Sequence, residues 1–213
     1  MTFATGAVAR VMALGGALAP PVFVASAIAA TLATPGYSSV DTALSALAAP
    51  GAPAGWLIGV GFAGYGMLVQ AIGPLLYALV GRRRLGRAVW GFVMAYGAGA
   101  VLAAVFRTAH AGPVLWGVSE GAVHGAVARV SFAGILALML IVPWALRRDP
   151  SWRTWRRFSL AIAVASVALL VPFELDAWPD GRGLVQRGFF LSTMAWVEVT
   201  SLRLFRLAGA RAS

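Results

Sequence analysis

The sequence contains no cysteine and no lysine, and it has only two histidines and seven acidic residues among 213 positions. Without cysteine, disulfides, thiolate catalysis and cysteine-ligated metals are excluded. Charged residues make up 11% of the chain, against about 25% in soluble domains, whereas 60% of the residues are hydrophobic. This composition predicts an integral membrane protein rather than a soluble domain.

The apolar residues fall into six long segments, which predict an all-α, polytopic bundle of about six transmembrane helices in a single domain. The first segment is interpreted as an uncleaved helix kinked at Pro20-Pro21, although Ala25-Ser26-Ala27 resembles a signal-peptide cleavage site. The second is rich in glycine, which is typical of close helix packing. The predicted spans are residues 8–33, 56–80, 88–106, 119–146, 158–173 and 184–207.

A polar insert, residues 34–53, separates the first two spans. After the Pro35-Gly36 turn, its pattern predicts a short helix capped by Ser38 or Ser39. Such a helix is too short to cross a bilayer, so it is predicted to be interfacial or re-entrant. Asp41 and Ser45 would share one of its faces, and the simpler role of this Asp is an interaction with the helix dipole.

The arginines predict how the bundle sits in its membrane. The two chain ends and the connections at 81–87 and 147–157 hold thirteen of the seventeen arginines. The positive-inside rule therefore places both termini in the cytoplasm, with an even number of spans between them. Tryptophans alternate with arginines in the 147–157 connection, which favours contact with the anionic head groups of the lipid bilayer over nucleic-acid binding. The oligomeric state is left open.

The start of the fourth span carries the densest set of ionisable groups. Glu120 and His124 are one helical turn apart on the same face. Arg129 lies deeper, where an unpaired charge would cost roughly 2.5 kcal/mol or more. Glu198 lies at a comparable depth in the sixth span, so a buried ion pair between Arg129 and Glu198 is the simplest expectation.

Small residues repeat on the same stretch. Gly117, Gly121 and Gly125 recur every four positions. This spacing is typical of helix–helix contact, either within the bundle, which we favour, or between copies of the chain.

The topology gathers these polar groups at the outer mouth of the bundle and leaves three functions open. The first is a structural bundle with no assigned chemistry. The second is a hydrolase or metal-dependent enzyme acting on a lipid head group, with the catalytic candidates His124, Glu120, Asp41 and Ser45. The third is a carrier or binding protein for a small lipid or ion, in which Glu120 and His124 respond to protons.

Other residues are candidates for binding at the same mouth. No cofactor is predicted, but a divalent metal would fit histidine and carboxylate ligands, although Glu-x-x-x-His is a weak motif. The candidate metal ligands are His124, Glu120 and His110, and the candidate ligand-binding residues are His110, Asp176, Gln186 and Arg187.

Three motifs resemble a bacterial membrane-protein family catalogued as domain of unknown function 998. They are Pro35-Gly36-Tyr37 with Asp41-Thr42, Ser45 and the turn Gly51-Ala52-Pro53; Asp149-Pro150-Ser151-Trp152; and Gly183-Leu184-Val185-Gln186-Arg187. Family members usually carry Phe-Pro-x-Asp after the third span and a histidine on the next helix. His124 matches the histidine, whereas Arg107-Thr108-Ala109 follows Phe106 here, so the acidic residue is missing. The resemblance implies a six-span bundle in a bacterial inner membrane and no established activity.

Overall fold

The computed structural model describes residues 6–81, 83–108, 113–115 and 117–210, so His110 lies outside the described residues. The described chain is almost entirely helical, with one short antiparallel strand pair before the fourth span. The elements are α1 (Ala7–Leu32), α2 (Gly55–Val69), α3 (Gly73–Val80), α4 (Arg83–Val105), β1 (Pro113–Leu115), β2 (Val118–Ser119), α5 (Glu120–Ala145), α6 (Arg153–Glu174) and α7 (Arg182–Ala210).

The chain forms a bundle of six long helical segments, because α2 and α3 are joined by a single 3₁₀ turn, Gln70–Ile72, and form one segment. Each segment packs against the next one along the chain, and α7 packs back against α1, which closes a ring. The backbone N–H of Gly6 donates to the carbonyl of Ala208 at 3.5 Å, so the two ends of the described chain lie side by side. We call this the arginine end of the bundle. The opposite end, with the insert and the start of α7, is the mouth end.

The distribution of polar and apolar residues is that of a membrane protein. Five segments, namely α1, Gly55–Val80, α4, α5 and Pro150–Glu174, are long and apolar enough to cross a bilayer. Large apolar side chains such as Val11, Val60 and Val164 are exposed, whereas hydroxyl groups such as that of Ser159 are fully buried between helices. The all-α polytopic fold is thus confirmed. That the helices form one domain, and that the more polar α7 also crosses the membrane, stay predictions.

The short helix of the insert begins later than expected. It is a 3₁₀ helix, Leu44–Ala48, and Asp41 precedes it, so Asp41 and Ser45 do not share a helical face. The backbone carbonyls just before this helix accept hydrogen bonds from side chains. They are therefore not used as acceptors for the backbone N–H groups of an earlier helical turn. The carbonyl of Thr42 accepts from Tyr37 Oη at 3.1 Å and from the guanidinium of Arg187 at 3.1 Å.

The basic connections are shorter than the sequence suggested. α4 begins at Arg83 and α6 at Arg153, so arginines that were expected in loops form the first turns of helices.

Trp152 and Trp155, expected at the membrane interface, are each 3% exposed. They pack edge to face at 5.3 Å, and Trp155 also contacts Trp196 on α7. These two tryptophans therefore belong to the core rather than to the interfacial belt.

Close helix contact occurs at glycines other than the predicted stripe. A Cβ on Gly66 of α2 would lie within 2.5 Å of the backbone carbonyl of Gly97 on α4, so neither position has room for a side chain. Gly117 instead has a positive φ of 80° in the turn before α5, and Gly121 and Gly125 line a cavity. A Cβ on Gly125 would meet only its own helix's Arg129, at 3.6 Å, so Gly125 borders space inside the bundle rather than a neighbouring helix.

Candidate functional site

A cavity of about 260 Å³ lies inside the mouth half of the ring, and we call it the chamber. Every long helix except α3 contributes to its lining, together with the insert. Its polar lining residues are Ser45, Thr108, His124, Arg129, Ser131, Glu174, Arg182 and Gln186. Its aromatic lining residues are Phe23, Phe62, Tyr65, Tyr96, Phe132, Phe173 and Phe190.

The depth of the chamber follows from helix geometry. Glu174 and Arg182 are the last and first residues of their helices at the mouth end. Ser131, in contrast, lies about 17 Å along α5 from Glu120, at a rise of about 1.5 Å per residue. Since the hydrocarbon core of a bilayer is about 30 Å thick, the chamber reaches from the mouth to about the middle of the membrane.

His124 is fixed in the chamber wall by the end of α4. Its Nδ1 lies 2.7 Å from the carbonyl oxygen of Phe106, and the ring also interacts with the carbonyl of Ala103. These carbonyls are free because the last turn of a helix has no N–H groups to meet them. A carbonyl can only accept, so Nδ1 carries the hydrogen and Nε2 of the neutral ring carries a lone pair.

Glu120 does not share a site with His124 in the way its spacing suggested. Its carboxylate accepts from the backbone N–H of Arg107 at 2.7 Å and from Nε of the same residue at 3.0 Å. It is buried, and its hydrogen bond and its charge raise the pKa of the Arg107 guanidinium above the ordinary value. Glu120 therefore ties the connection after α4 to the start of α5, and it is not among the residues that line the chamber.

Arg129 pairs with Glu174 at the end of α6, where its Nε donates to Oε2 at 2.9 Å. The prediction that Arg129 pairs with Glu198 is wrong. Side chains on a helix tilt toward its N-terminus, so Arg129, about 14 Å along α5, extends back toward the mouth. Glu198 lies about 24 Å along α7, and its Oε2 is buried without a hydrogen-bond partner among the described residues.

The guanidinium of Arg129 keeps unused donors. Its side chain is 68% exposed, and its two terminal nitrogens make no hydrogen bond to any described residue. Arg182 has a similar arrangement, since one terminal nitrogen pairs with Asp176 and the group lies 4.5 Å over the ring of Phe173. Asp176 itself does not line the chamber, so it acts there only through Arg182.

Gln186 joins α7 to the insert at the chamber wall. Its side-chain oxygen accepts from the backbone N–H of Leu44, and its Nε2 donates to Ser45 Oγ at 3.4 Å. The carbonyl of Ser45 in turn accepts from Thr108 Oγ1 at 2.9 Å. Ser45 is thereby held between α7 and the end of α4, with its side chain at the chamber.

A row of hydroxyl groups crosses the deep end of the chamber. Tyr65 and Tyr96 lie 2.7 Å apart at their oxygens, and Tyr96 donates to Thr193 Oγ1 at 3.4 Å. Thr193 must donate to the carbonyl of Phe190, since that carbonyl can only accept. The hydrogens therefore run from Tyr65 toward α7, and the phenol oxygen of Tyr65 is left as an acceptor.

The remaining sequence candidates lie elsewhere. Asp41 is exposed and accepts from Ser38 Oγ at 2.8 Å, away from the chamber. Arg187 donates to the carbonyls of Ser39, Thr42 and Gly183 and to Tyr37 Oη, so it clamps the insert to α7. Among the described residues, no three histidine or acidic side chains converge on a point that could hold a metal ion.

Sequence reasoning missed the deep wall of the chamber. Tyr96 and Thr193 are ordinary residues of apolar spans, and only their meeting across the ring makes them a connected row. The signal that could have suggested them was the presence of hydroxyl groups in spans that otherwise contain few polar side chains. Ser131, whose Oγ donates to the carbonyl of Tyr96 at 2.8 Å, is another residue of this kind.

A second, more apolar cavity of about 250 Å³ lies between α1 and α7, and we call it the groove. Its lining residues are Phe23, Val24, Ala27, Ile28, Thr31, Leu32, Ser39, Leu44, Arg187, Phe190, Leu191 and Met194. It shares Phe23, Phe190 and Met194 with the chamber.

The chain belongs to the family described as protein of unknown function (DUF998), which matches residues 17–203. This match covers all of the chamber and the three connections at its mouth, and it confirms the resemblance noted in the sequence. Comparison with curated proteins and with solved structures gave no match.

Proposed function

We propose that this membrane protein binds a small amphipathic molecule with an anionic head group in the chamber. The observation that carries the proposal is the division of the chamber wall. Guanidinium groups with unused donors, from Arg129 and Arg182, lie near the mouth, whereas aromatic rings such as those of Phe62 and Phe132 form the deeper wall. A guanidinium is well suited to a phosphate or carboxylate, and the rings suit an apolar tail.

The proposed setting is the inner membrane of a bacterium, with both termini in the cytoplasm. α7 would be the sixth span, because it runs from the mouth end, where Leu184 N–H donates to Val40 carbonyl, to the arginine end beside Gly6. Its arginines and Glu198 lower its hydropathy, which is why it looks less like a span than the others. The chamber would then open toward the outer face.

A second candidate function is hydrolysis of an ester bond next to the head group of the bound lipid. It is favoured by the fixed tautomer of His124, whose Nε2 lone pair suits a general base, and by Ser45 in the same wall. In this reaction His124 would take the hydroxyl proton as Ser45 attacks the acyl carbonyl, and it would return that proton to the departing alcohol oxygen, which leaves the acyl group on Ser45. Water, giving its proton to His124, would then attack this acyl group, and the proton would pass back to Ser45 Oγ as the fatty acid leaves. Glu120 and Asp41 have no part in it, because the first is engaged with Arg107 and the second lies outside the chamber.

Binding is tested with the purified protein and three probes: dihexanoylphosphatidylglycerol, dihexanoylphosphatidylcholine and glycerol 3-phosphate. We expect the anionic lipid to bind more tightly than the other two, since only it satisfies both parts of the chamber. Arg129→Gln should weaken its binding about tenfold, equivalent to about 1.4 kcal/mol. Equal binding of the zwitterionic lipid would contradict the proposal, and tighter binding of glycerol 3-phosphate would point to a free phosphate compound.

Two variants control for side effects. Arg148→Gln removes an exposed arginine at the opposite end and should leave binding unchanged. The double variant Arg129→Gln/Glu174→Gln leaves no unpaired carboxylate, so weakened binding there is due to the lost guanidinium. For the hydrolase, His124→Gln should abolish release of fatty acid from the same lipid while binding persists, and an inactive wild type would leave binding alone as the function.

A further inference from the structure

We propose that the ligand of the chamber is a lipid of the surrounding bilayer, that one of its acyl chains lies in the groove, and that it reaches the chamber sideways between α1 and α7. This inference rests on the proposed function and adds the ligand class and the route. No sequence pattern predicted the groove.

The groove lies beside the chamber at the same depth. On α1 it extends from Phe23 to Leu32, and on α7 from Arg187 to Met194, which places it in the mouth half of the bundle. In the other half the same two helices are close, since a Cβ on Gly16 would lie 2.5 Å from Ser201 Oγ. The helices therefore meet tightly near the arginine end and leave a gap near the mouth.

The partition between the two cavities is thin. Phe23, Phe190 and Met194 line both, so the chamber and the groove lie on opposite sides of these three side chains. The rings of Phe23 and Phe190 are stacked, with centroids 5.6 Å apart and planes 24° apart. Side-chain rotation of Phe190 and Met194, with no helix movement, would connect the two spaces, and methionine is an unbranched, adaptable side chain.

The chemistry of the groove selects an acyl chain. Its walls are apolar side chains of membrane-facing helices, such as Ile28 at 56% and Leu191 at 58% exposure. Its one charged residue, Arg187, already donates to three carbonyls and to a tyrosine hydroxyl, so it leaves little capacity for a head group there. The free guanidinium donors lie in the chamber instead. A chain in the groove and an anionic head group in the chamber fit both surfaces at once.

The test is photo-crosslinking in lipid nanodiscs. The intact protein is reconstituted with phosphatidylglycerol that carries a diazirine in one acyl chain, illuminated, and mapped by peptide mass spectrometry. We expect labelling around Ile28 and Leu191 to exceed, by at least fivefold, labelling around Val164, which is equally lipid-exposed on α6. Ala27→Trp fills the groove and should remove this excess, whereas Ala165→Trp, at an exposed alanine on α6, should not.

Leu191→Trp provides a second groove variant if Ala27→Trp does not fold. Labelling that is even over α1, α6 and α7 would overturn the inference, as would equal groove labelling by a phosphatidylcholine tracer. Binding of the short-chain lipid, measured on the same preparations, separates the two proposals. If that binding persists and depends on Arg129 while the groove is not labelled, the lateral route is wrong and the chamber function stands. If neither occurs, both proposals are wrong.

Discussion

The two ends of the bundle use arginine in different ways. At the arginine end, guanidinium groups lie over aromatic rings: Arg10 over Phe205 at 4.7 Å, Arg147 over Trp144 at 4.2 Å and Arg203 over Trp152 at 4.1 Å. At the mouth end, rings also lie near two arginines, but the carboxylate partners are found only here among the described residues. Arg107, Arg129 and Arg182 each pair with a carboxylate, and Arg187 donates to a group of carbonyls.

The difference separates two functions of one residue type. An arginine without a carboxylate partner adds an uncompensated positive charge to its end of the bundle, which suits a surface that sets orientation. An arginine paired with a carboxylate adds no net charge, and it orders neighbouring chain segments and shapes the interior. Counting arginines along the sequence predicts only the orientation of the bundle, because the count does not show which arginines pair with carboxylates.

The contrast between the two ends requires that they face opposite sides of the membrane, and this requirement can be tested directly. Because the chain has no cysteine, a single introduced cysteine reports its own location. We expect Val118→Cys, exposed at the mouth end, to react with a membrane-impermeant maleimide on intact cells. Arg148→Cys should react only after permeabilisation. Reversed labelling would invert the proposed orientation, and labelling of both on intact cells would exclude it.

The largest stability difference is expected at Glu120. Glu120→Ala removes the acceptor of the Arg107 backbone N–H and of its guanidinium, and we expect a loss of about 3 kcal/mol because two hydrogen bonds to a charged acceptor are lost together. Arg107→Ala should cost less, since that side chain is 48% exposed and its backbone bond remains. Thermal melts in detergent compare the two. An equal or larger effect of Arg107→Ala would show that the ion pair, rather than the backbone bond, joins α4 to α5.

Arg187 tests whether an arginine at the mouth end orders the insert, as the contrast between the two ends predicts. Arg187→Ala removes a donor from three carbonyls and from Tyr37 Oη, and we expect a loss of about 2 kcal/mol together with faster chymotrypsin cleavage within residues 37–47. Arg206→Ala, at an exposed position of the arginine end, is the matched control and should change neither quantity. Unchanged cleavage in Arg187→Ala would mean that other contacts hold the insert.

The smallest effect concerns Asp149 at the arginine end. Hydrogen bonds from Ser151 lower the pKa of this carboxyl below its ordinary value. The stability it contributes is therefore complete above the ordinary aspartate pKa and is lost as the pH falls through the lowered value. We expect wild type to melt slightly above Asp149→Ala at pH 6, with the gap closing below about pH 4. A gap that is independent of pH would mean that Asp149 acts through packing alone.

The sequence predicted the spans because their length and apolarity depend on local composition alone. It misplaced the helix starts near Arg83 and Arg153, since charged residues can extend a helix beyond the bilayer as well as form a loop. It also placed a larger set of candidates at one end, because topology brings their connections together, and of these His124, Gln186 and Ser45 line the chamber whereas Glu120, Asp41, Asp176 and Arg187 do not.

The partners of these residues were harder to predict. Arg129 meets Glu174 rather than Glu198 because of the direction in which helical side chains tilt and the order of helices around the ring. Likewise, the two tryptophans at 152 and 155 looked interfacial from their basic neighbours, but they face Trp196 on α7. The direction in which such a side chain faces depends on how all six helical segments pack together. It therefore produces no recognisable pattern in the neighbouring sequence.

The closed ring also has a consequence for biosynthesis. Helices that neighbour each other in the chain can associate as they enter the membrane, but α1 and α7 come from opposite ends and meet only when the last helix arrives. The groove lies along this α1–α7 contact, so one side of the chamber stays open until α7 has been synthesised and inserted. A chain truncated before α7 would lack Arg182, Gln186 and Phe190 together. Lipid would fill that open side first, and the arriving helix would enclose it.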